Sequence, residues 1–125
     1  MKTILIAEDD KFLSNAYRIK LSKLGYDVAI VSDGEQVMKY LNEKQMPDLL
    51  LLDLIMPVKD GFDTLKDIRA IDKFNKLLII VASNLGQSED VKKAKEMGAI
   101  DYIVKSDLSL QELAEKIHSY LHETK

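Results

Sequence analysis

The chain has no cysteine and no tryptophan among its 125 residues, and only two prolines and five glycines. Without cysteine there is no disulfide framework, no metal-thiolate site and no thiol chemistry. No linker, low-complexity tract or internal repeat stands out from the alternation described below. Long apolar runs are also missing. The longest is the six residues Leu77 to Ala82, far short of the ~20 that cross a bilayer. The start, Met1 to Ala7, imitates a signal peptide until it meets Glu8-Asp9-Asp10; it is too short for an apolar signal core and has no small-residue cleavage site. Positive charge is nowhere concentrated, and the net charge of −3 argues against a nucleic-acid surface. A cytoplasmic location without membrane attachment is the expectation.

What is present is ordinary in bulk and informative in order. At 46% hydrophobic and 31% charged residues, the composition is that of a globular protein. A chain of 125 residues can bury its own core without staples. Apolar runs alternate with amphipathic stretches about twice as long, so strands are expected over 3–7, 27–31, 48–52, 77–82 and 100–104. Three of them (3–7, 48–52, 77–82) are almost unbroken apolar, which suits strands covered on both faces. Leu13, Tyr17, Leu21 and Leu24 recur on one helical face, as do Leu110, Leu113, Ala114, Ile117 and Leu121. Gly25 and Gly98 follow periodic stretches where a left-handed C-cap belongs. Ser32 with Glu35 and Ser109 with Glu112 have capping-box spacing, and Asp60 and Ser88 are N-cap candidates. Five such βα units with right-handed crossovers make an α/β fold, a three-layer doubly wound five-stranded parallel sheet. The fifth helix ends with the chain, so one domain over 1–125 without an output domain is expected.

Chemistry gathers where the strands end. Glu8-Asp9-Asp10 closes the first, Asp53 the third, Ser83 follows the fourth and Lys105 closes the fifth. In a parallel sheet all of these emerge at the carboxyl edge, where open α/β sheets bind ligands. Carboxylates before a helix often do no more than favour its dipole. Placing Asp53 beside them changes the balance. Two like charges ~4 Å apart repel by ~4 kcal/mol at an effective dielectric near 20, a large part of a domain's ~5–15 kcal/mol stability. A hard divalent cation that keeps some of its waters, Mg²⁺, relieves the repulsion and leaves room for a phosphoryl group. Taken singly, Ser83 is a turn residue and Lys105 a solvated lysine.

The segment Asp53-Leu54-Ile55-Met56-Pro57-Val58-Lys59-Asp60-Gly61, the acidic pair, the hydroxyl thirty residues after Asp53 and the lysine twenty-two after that resemble the receiver domain of two-component response regulators over nearly the whole chain. The resemblance implies the flavodoxin-like strand order 2-1-3-4-5. It implies that Asp53 is the phosphorylated carboxylate, and that Glu8, Asp9, Asp53 and the Ile55 carbonyl hold Mg²⁺, with Asp10 in support. Lys105 and Ser83 match the groups that bind phosphoryl oxygens, with Asn84 beside them. Ser83 and Tyr102 match the switch pair, although an aromatic on an edge strand is equally ordinary cover. Phosphoryl transfer needs positioning and charge stabilisation more than covalent help, which is what such a set supplies.

The implied function is a phospho-acceptor signalling switch rather than a turnover enzyme. A histidine kinase or phosphotransfer protein donates to Asp53, and the surface around the fourth helix, fifth strand and fifth helix changes toward a downstream protein. No direct contact with nucleic acid or membrane is expected. A constitutive docking module that ignores phosphate conflicts with the intact Glu8, Asp9, Asp53 and Lys105 set. A flavin carrier of the same topology conflicts with an acidic first loop that repels phosphate. Two departures from the family pattern stand out. Ser106 replaces the usual proline after Lys105, so that bond is expected trans, because cis costs ~3–4 kcal/mol there. Asn84 replaces a small residue and narrows access to Asp53. Ile55 and Leu85, which flank the path of an attacking water, cannot hydrogen-bond it, so slow loss of the phosphoryl group is expected. Phe12, Tyr17, Tyr26, Phe62 and Phe74 read as core or cover, and His118 and His122 as solvated helix residues.

Overall fold

The computed structural model describes residues 1–122. Five strands alternate with five helices: β1 (Thr3–Ala7), α1 (Lys11–Lys23), β2 (Asp27–Val31), α2 (Gly34–Glu43), β3 (Leu49–Leu52), α3 (Gly61–Arg69), β4 (Leu78–Ser83), α4 (Ser88–Glu96), β5 (Asp101–Val104) and α5 (Leu110–Leu121). Two 3₁₀ turns, Asp72–Phe74 and Lys105–Asp107, precede β4 and follow β5. All strand pairs are parallel and the order is β2-β1-β3-β4-β5. Each strand lies within about one residue of the sequence-based bounds. The one shift that matters is that Ser83 is the last residue of β4 rather than the first after it.

Alternation of side chains along the strands divides the interior into two cores. Leu5, Leu50, Leu52, Ile79 and Val81 face one side, where Val37 and Leu41 of α2, Leu65 and Ile68 of α3 and Ala94 of α4 cover them. Ile4, Ile6, Leu49, Leu51 and Ile80 face the other, under Tyr17 and Leu21 of α1 and Leu113 and Ile117 of α5. Burial on both faces explains why these strands carry no polar alternation. Each fully buried Leu or Ile contributes ~1.5–3 kcal/mol of transfer free energy.

Several local expectations hold and several are corrected. Gly25 and Gly98 take φ of 94° and 108° at the ends of α1 and α4. Ser109 and Glu112 form the capping box of α5, and Asp60 caps α3. The cap of α2 is Asp33, whose carboxylate accepts from the Gln36 N–H, while Gln36 reaches back to the Ser32 N–H; the Ser32–Glu35 pairing is one residue out of register. Gln87, not Ser88, precedes α4, and no side chain caps it. Leu24 is half exposed because it is the C-cap, beyond the last regular turn of α1. Leu110 is exposed at the first position of α5. Phe12 is 87% exposed rather than core. Ser14, Tyr17 and Leu21 form the buried face of α1, and Phe12 projects about 200° around the axis from Ser14. His118 and His122 are exposed as expected, yet both contact the Tyr26 hydroxyl.

Candidate functional site

Two adjacent strands deliver the acidic group. Glu8 follows β1 and its N–H still donates to the Val31 carbonyl of β2 at 3.0 Å; Asp53 follows β3 and its N–H donates to the Ala7 carbonyl of β1 at 3.1 Å. The ladder therefore runs on through both residues and fixes their backbones. Glu8 is 4% exposed and Asp53 7%, while Asp9 lies open to solvent. One carboxylate oxygen from each of Glu8, Asp9 and Asp53 falls within 4.8 Å of the others. The loop after Asp53 is held from below by Gly61, where a Cβ would lie 2.3 Å from the Asp53 carbonyl oxygen and 2.6 Å from Leu54 Cα. Only glycine permits α3 to start that close to the acidic edge.

Lys105 supplies the opposite charge. Its ammonium donates to Glu8 Oε1 and, at 3.1 Å, to Asp53 Oδ2, with little of any of the three side chains exposed. Burial lowers the affinity of Lys105 for its proton, but the Glu8 hydrogen bond and the charges of Asp53 and Glu8 outweigh it, and the pKa ends raised. Glu8 is also raised. Burial is the main cause and the Asp53 charge adds to it, more than the Lys105 contact takes away. Three carboxylates against one ammonium give this edge an excess of acidic groups, as a cation site requires. The Lys105–Ser106 bond is trans, as expected, and no cis bond occurs among the described residues.

Ser83 and Tyr102 lie one element further along. Ser83 is fully buried, and its Oγ accepts from the Leu85 N–H at 3.2 Å. Tyr102 is buried too, and its hydroxyl donates to the Leu85 carbonyl. Burial, then the Asp90 charge, push its phenol above the ordinary range. Both residues thus hold the backbone of one residue, Leu85, in the loop between β4 and α4. No sequence pattern signals that link, because the groups of Leu85 involved are main-chain.

The remaining candidates divide. Ile55 is exposed, and its N–H points back to Asp53 Oδ1 at 3.3 Å. Asp10 is the N-cap of α1, its carboxylate accepting from the Leu13 N–H at 3.1 Å, while its own N–H donates to Glu8 Oε2 at 3.1 Å. It braces Glu8 and stands outside the oxygen cluster. Asn84 is exposed just past β4. Val58 takes φ of 69°, and Lys59 N–H donates to the Pro57 carbonyl at 2.7 Å across it, a tight γ-turn in a β-branched residue.

The donor set is all oxygen, one from each of three carboxylates, which fits a hard cation such as Mg²⁺ that retains waters. No helix among the described residues is long and apolar enough to cross a membrane. A model of the family described as "Response regulator receiver domain" matches residues 4–118. The probable transcriptional regulator ycf27 of Guillardia theta is 35% identical over 121 residues, covering 97% of this chain and 46% of its own length. The receiver domain of the Francisella response regulator 1452 superposes with a TM-score of 0.89 at 27% identity, covering 100% of both chains. The BeF3-activated N-terminal receiver domain of Klebsiella pneumoniae RstA gives 0.86 at 27% identity, covering 98% of this chain and 100% of that one. The chain thus spans about half the length of the curated relatives it matches.

Proposed function

Because the chain belongs to the family of response-regulator receiver domains of two-component signalling, we propose that Asp53 is its phospho-acceptor and residues 1–125 one receiver domain. The observation that supports this reading best is the Lys105 ammonium shared by Glu8 and Asp53 at the edge where three carboxylate oxygens converge. Glu8, Asp9, Asp53 and the Ile55 carbonyl would hold Mg²⁺, which supplies positive charge against the transferring phosphoryl oxygens. An Asp53 carboxylate oxygen attacks the phosphorus of a phosphohistidine on a kinase or phosphotransfer protein. The new O–P bond forms as the N–P bond breaks, and the imidazole leaves with the electron pair and takes up a proton. Lys105 already lies against Asp53 and neutralises charge on the phosphoryl group with little reorganisation. Asp10 caps α1 and steadies Glu8, and Asn84 borders the opening.

Ser83 is the second phosphoryl ligand in this reading. Its hydroxyl turns from the Leu85 N–H to a phosphoryl oxygen, which frees the loop that Tyr102 also holds. The change propagates to the face formed by α4, β5 and α5, where a downstream protein docks. The domain alters only itself and turns over no separate substrate. It works in the cytoplasm, and its net charge of −3 gives this domain no direct role on nucleic acid. The test is labelling with acetyl phosphate, or binding of a beryllofluoride mimic, with and without Mg²⁺. Wild type should respond only with Mg²⁺ present. Undiminished labelling of Asp53→Asn overturns the assignment.

A further inference from the structure

Tyr26 stands just before β2, at the edge of the sheet opposite to Asp53, and is only 6% exposed. Its hydroxyl lies 2.9 Å from Nδ1 of His118 and 3.2 Å from Nε2 of His122. His118 lies in the last turn of α5 and His122 is its C-cap, four residues on, so both rings share one face of the helix end. The rings stack with centroids 4.1 Å apart. From this convergence we propose that Tyr26, His118 and His122 form a binding site for a borderline divalent transition cation, Cu²⁺ or Zn²⁺, separate from the carboxylate site.

Ligand type and spacing carry the argument. Imidazole and phenolate suit Cu²⁺, Zn²⁺ or Ni²⁺ and serve Mg²⁺ and Ca²⁺ poorly. With metal–ligand bonds of ~2.0–2.1 Å, neighbouring ligand atoms stand ~2.9 Å apart in square-planar and ~3.3 Å apart in tetrahedral coordination. The separations of 2.9 and 3.2 Å fall in that interval. A cation enters once side-chain torsions unstack the two imidazoles, because lone pairs in planes only 29° apart do not converge as they stand. A buried phenol also needs only one partner to be satisfied, and this one has two. Both imidazoles are open to solvent, so an ion can reach them, and the carboxyl end of α5 carries the negative end of the helix dipole.

Binding takes a lone pair from each imidazole and one from the phenolate, and the phenol proton goes to solvent. The bound ion would fasten the end of α5 to the start of β2.

The test uses the full chain with Mg²⁺ in excess, so that the hard-oxygen site at Asp53 is held. Titration with Cu²⁺ alone should saturate at one equivalent. It should produce a phenolate-to-copper charge-transfer band in the visible and nitrogen hyperfine structure from two imidazoles in the electron paramagnetic resonance spectrum. His118→Gln and His122→Gln should each weaken binding more than ~10-fold, the low end of what loss of an outer-shell partner already costs. Tyr26→Phe should remove the band and keep the nitrogen signal, while Asp53→Asn leaves copper binding intact. Zn²⁺ should raise the melting temperature of wild type and not of the double His118→Gln, His122→Gln variant. Absence of the band and of a stoichiometric equivalent in wild type overturns the proposal. So does binding that survives loss of both histidines, or binding lost in Asp53→Asn.

Discussion

Lys105 is the place where removing one charge should cost most, and the structure sets the size of the effect. In Lys105→Met the ammonium disappears while Glu8 and Asp53 stay buried, with acceptor oxygens no more than 4.8 Å apart. At an effective dielectric of ~20 that separation corresponds to ~3.5 kcal/mol of repulsion. Breaking a buried ion pair from one side costs ~3–5 kcal/mol in general, so the two routes to the number agree. The loss is a large share of the ~5–15 kcal/mol that holds such a domain together. Urea unfolding at neutral pH in metal-free buffer should show the variant less stable by about 3 kcal/mol. Mg²⁺ should raise the unfolding midpoint of Lys105→Met more than that of wild type, because the cation replaces the missing charge. Adding Asp53→Asn to the variant should restore much of the stability by removing one member of the repelling pair. Stability within ~0.5 kcal/mol of wild type would refute the electrostatic account, and so would a deficit that neither Mg²⁺ nor Asp53→Asn relieves.

Val58→Gly should stabilise the protein by ~1 kcal/mol in urea unfolding, because glycine tolerates the φ of 69° that strains a β-branched residue; an unchanged or lower midpoint counts against the strain. Burial raises Asp101, but the hydrogen bonds from Lys116 at 2.9 Å and from Tyr120 and the Tyr102 N–H at 2.7 Å outweigh it and leave the carboxyl below its ordinary value. A depressed folded pKa adds stability above the unfolded value of ~4 and loses it as pH falls through the folded one, so the stability gap between wild type and Asp101→Asn should shrink on acidification below ~4. Ile55→Asn with Leu85→Glu should speed loss of the phosphoryl group in Mg²⁺ buffer by supplying side chains that orient water; equal decay in wild type and the double variant removes that argument.

The sheet was legible because its strands carry their burial in their composition. A run such as Leu49-Leu50-Leu51-Leu52 has no polar alternation because both of its faces are covered, and that alone asks for helices on each side. The acidic edge was legible for a related reason. In a parallel sheet the residue that ends a strand must emerge at one known edge, so Glu8, Asp53 and Lys105 could be placed together without coordinates. What failed lay within a single turn. Ser32 and Asp33 are both good caps one residue apart, and which of them takes the position depends on where the chain leaves β2. Phe12 was assigned by its chemistry, whereas its exposure follows from its angle on α1. His118 and His122 are solvated as expected, and only their shared partner went unseen, because Tyr26 is more than ninety residues away in sequence.

The least legible feature is the one that ties the site to its surroundings. Ser83 and Tyr102 were expected to act as a pair, and besides a side-chain hydrogen bond to each other they share the backbone of Leu85, held at its N–H by one and at its carbonyl by the other. Each neutral hydrogen bond of this kind is worth ~0.5–1.5 kcal/mol net, whereas one to a charged group is worth ~1.5–3 kcal/mol. On the proposed role of Ser83, rotation of its Oγ toward a phosphoryl oxygen would exchange the bond it accepts from the Leu85 N–H for a charge-assisted bond that it donates. The difference, on the order of 1–2 kcal/mol, is the size of an ordinary coupling free energy between two sites. It is enough to shift a loop equilibrium about tenfold and too small to threaten the fold. On the proposed reading Tyr102 would then hold a loop whose other anchor has gone, and its buried position would become the weaker half of a two-state balance. A tyrosine buried beside a loop that Ser83 releases would, on the proposed reading, report what happens at Asp53.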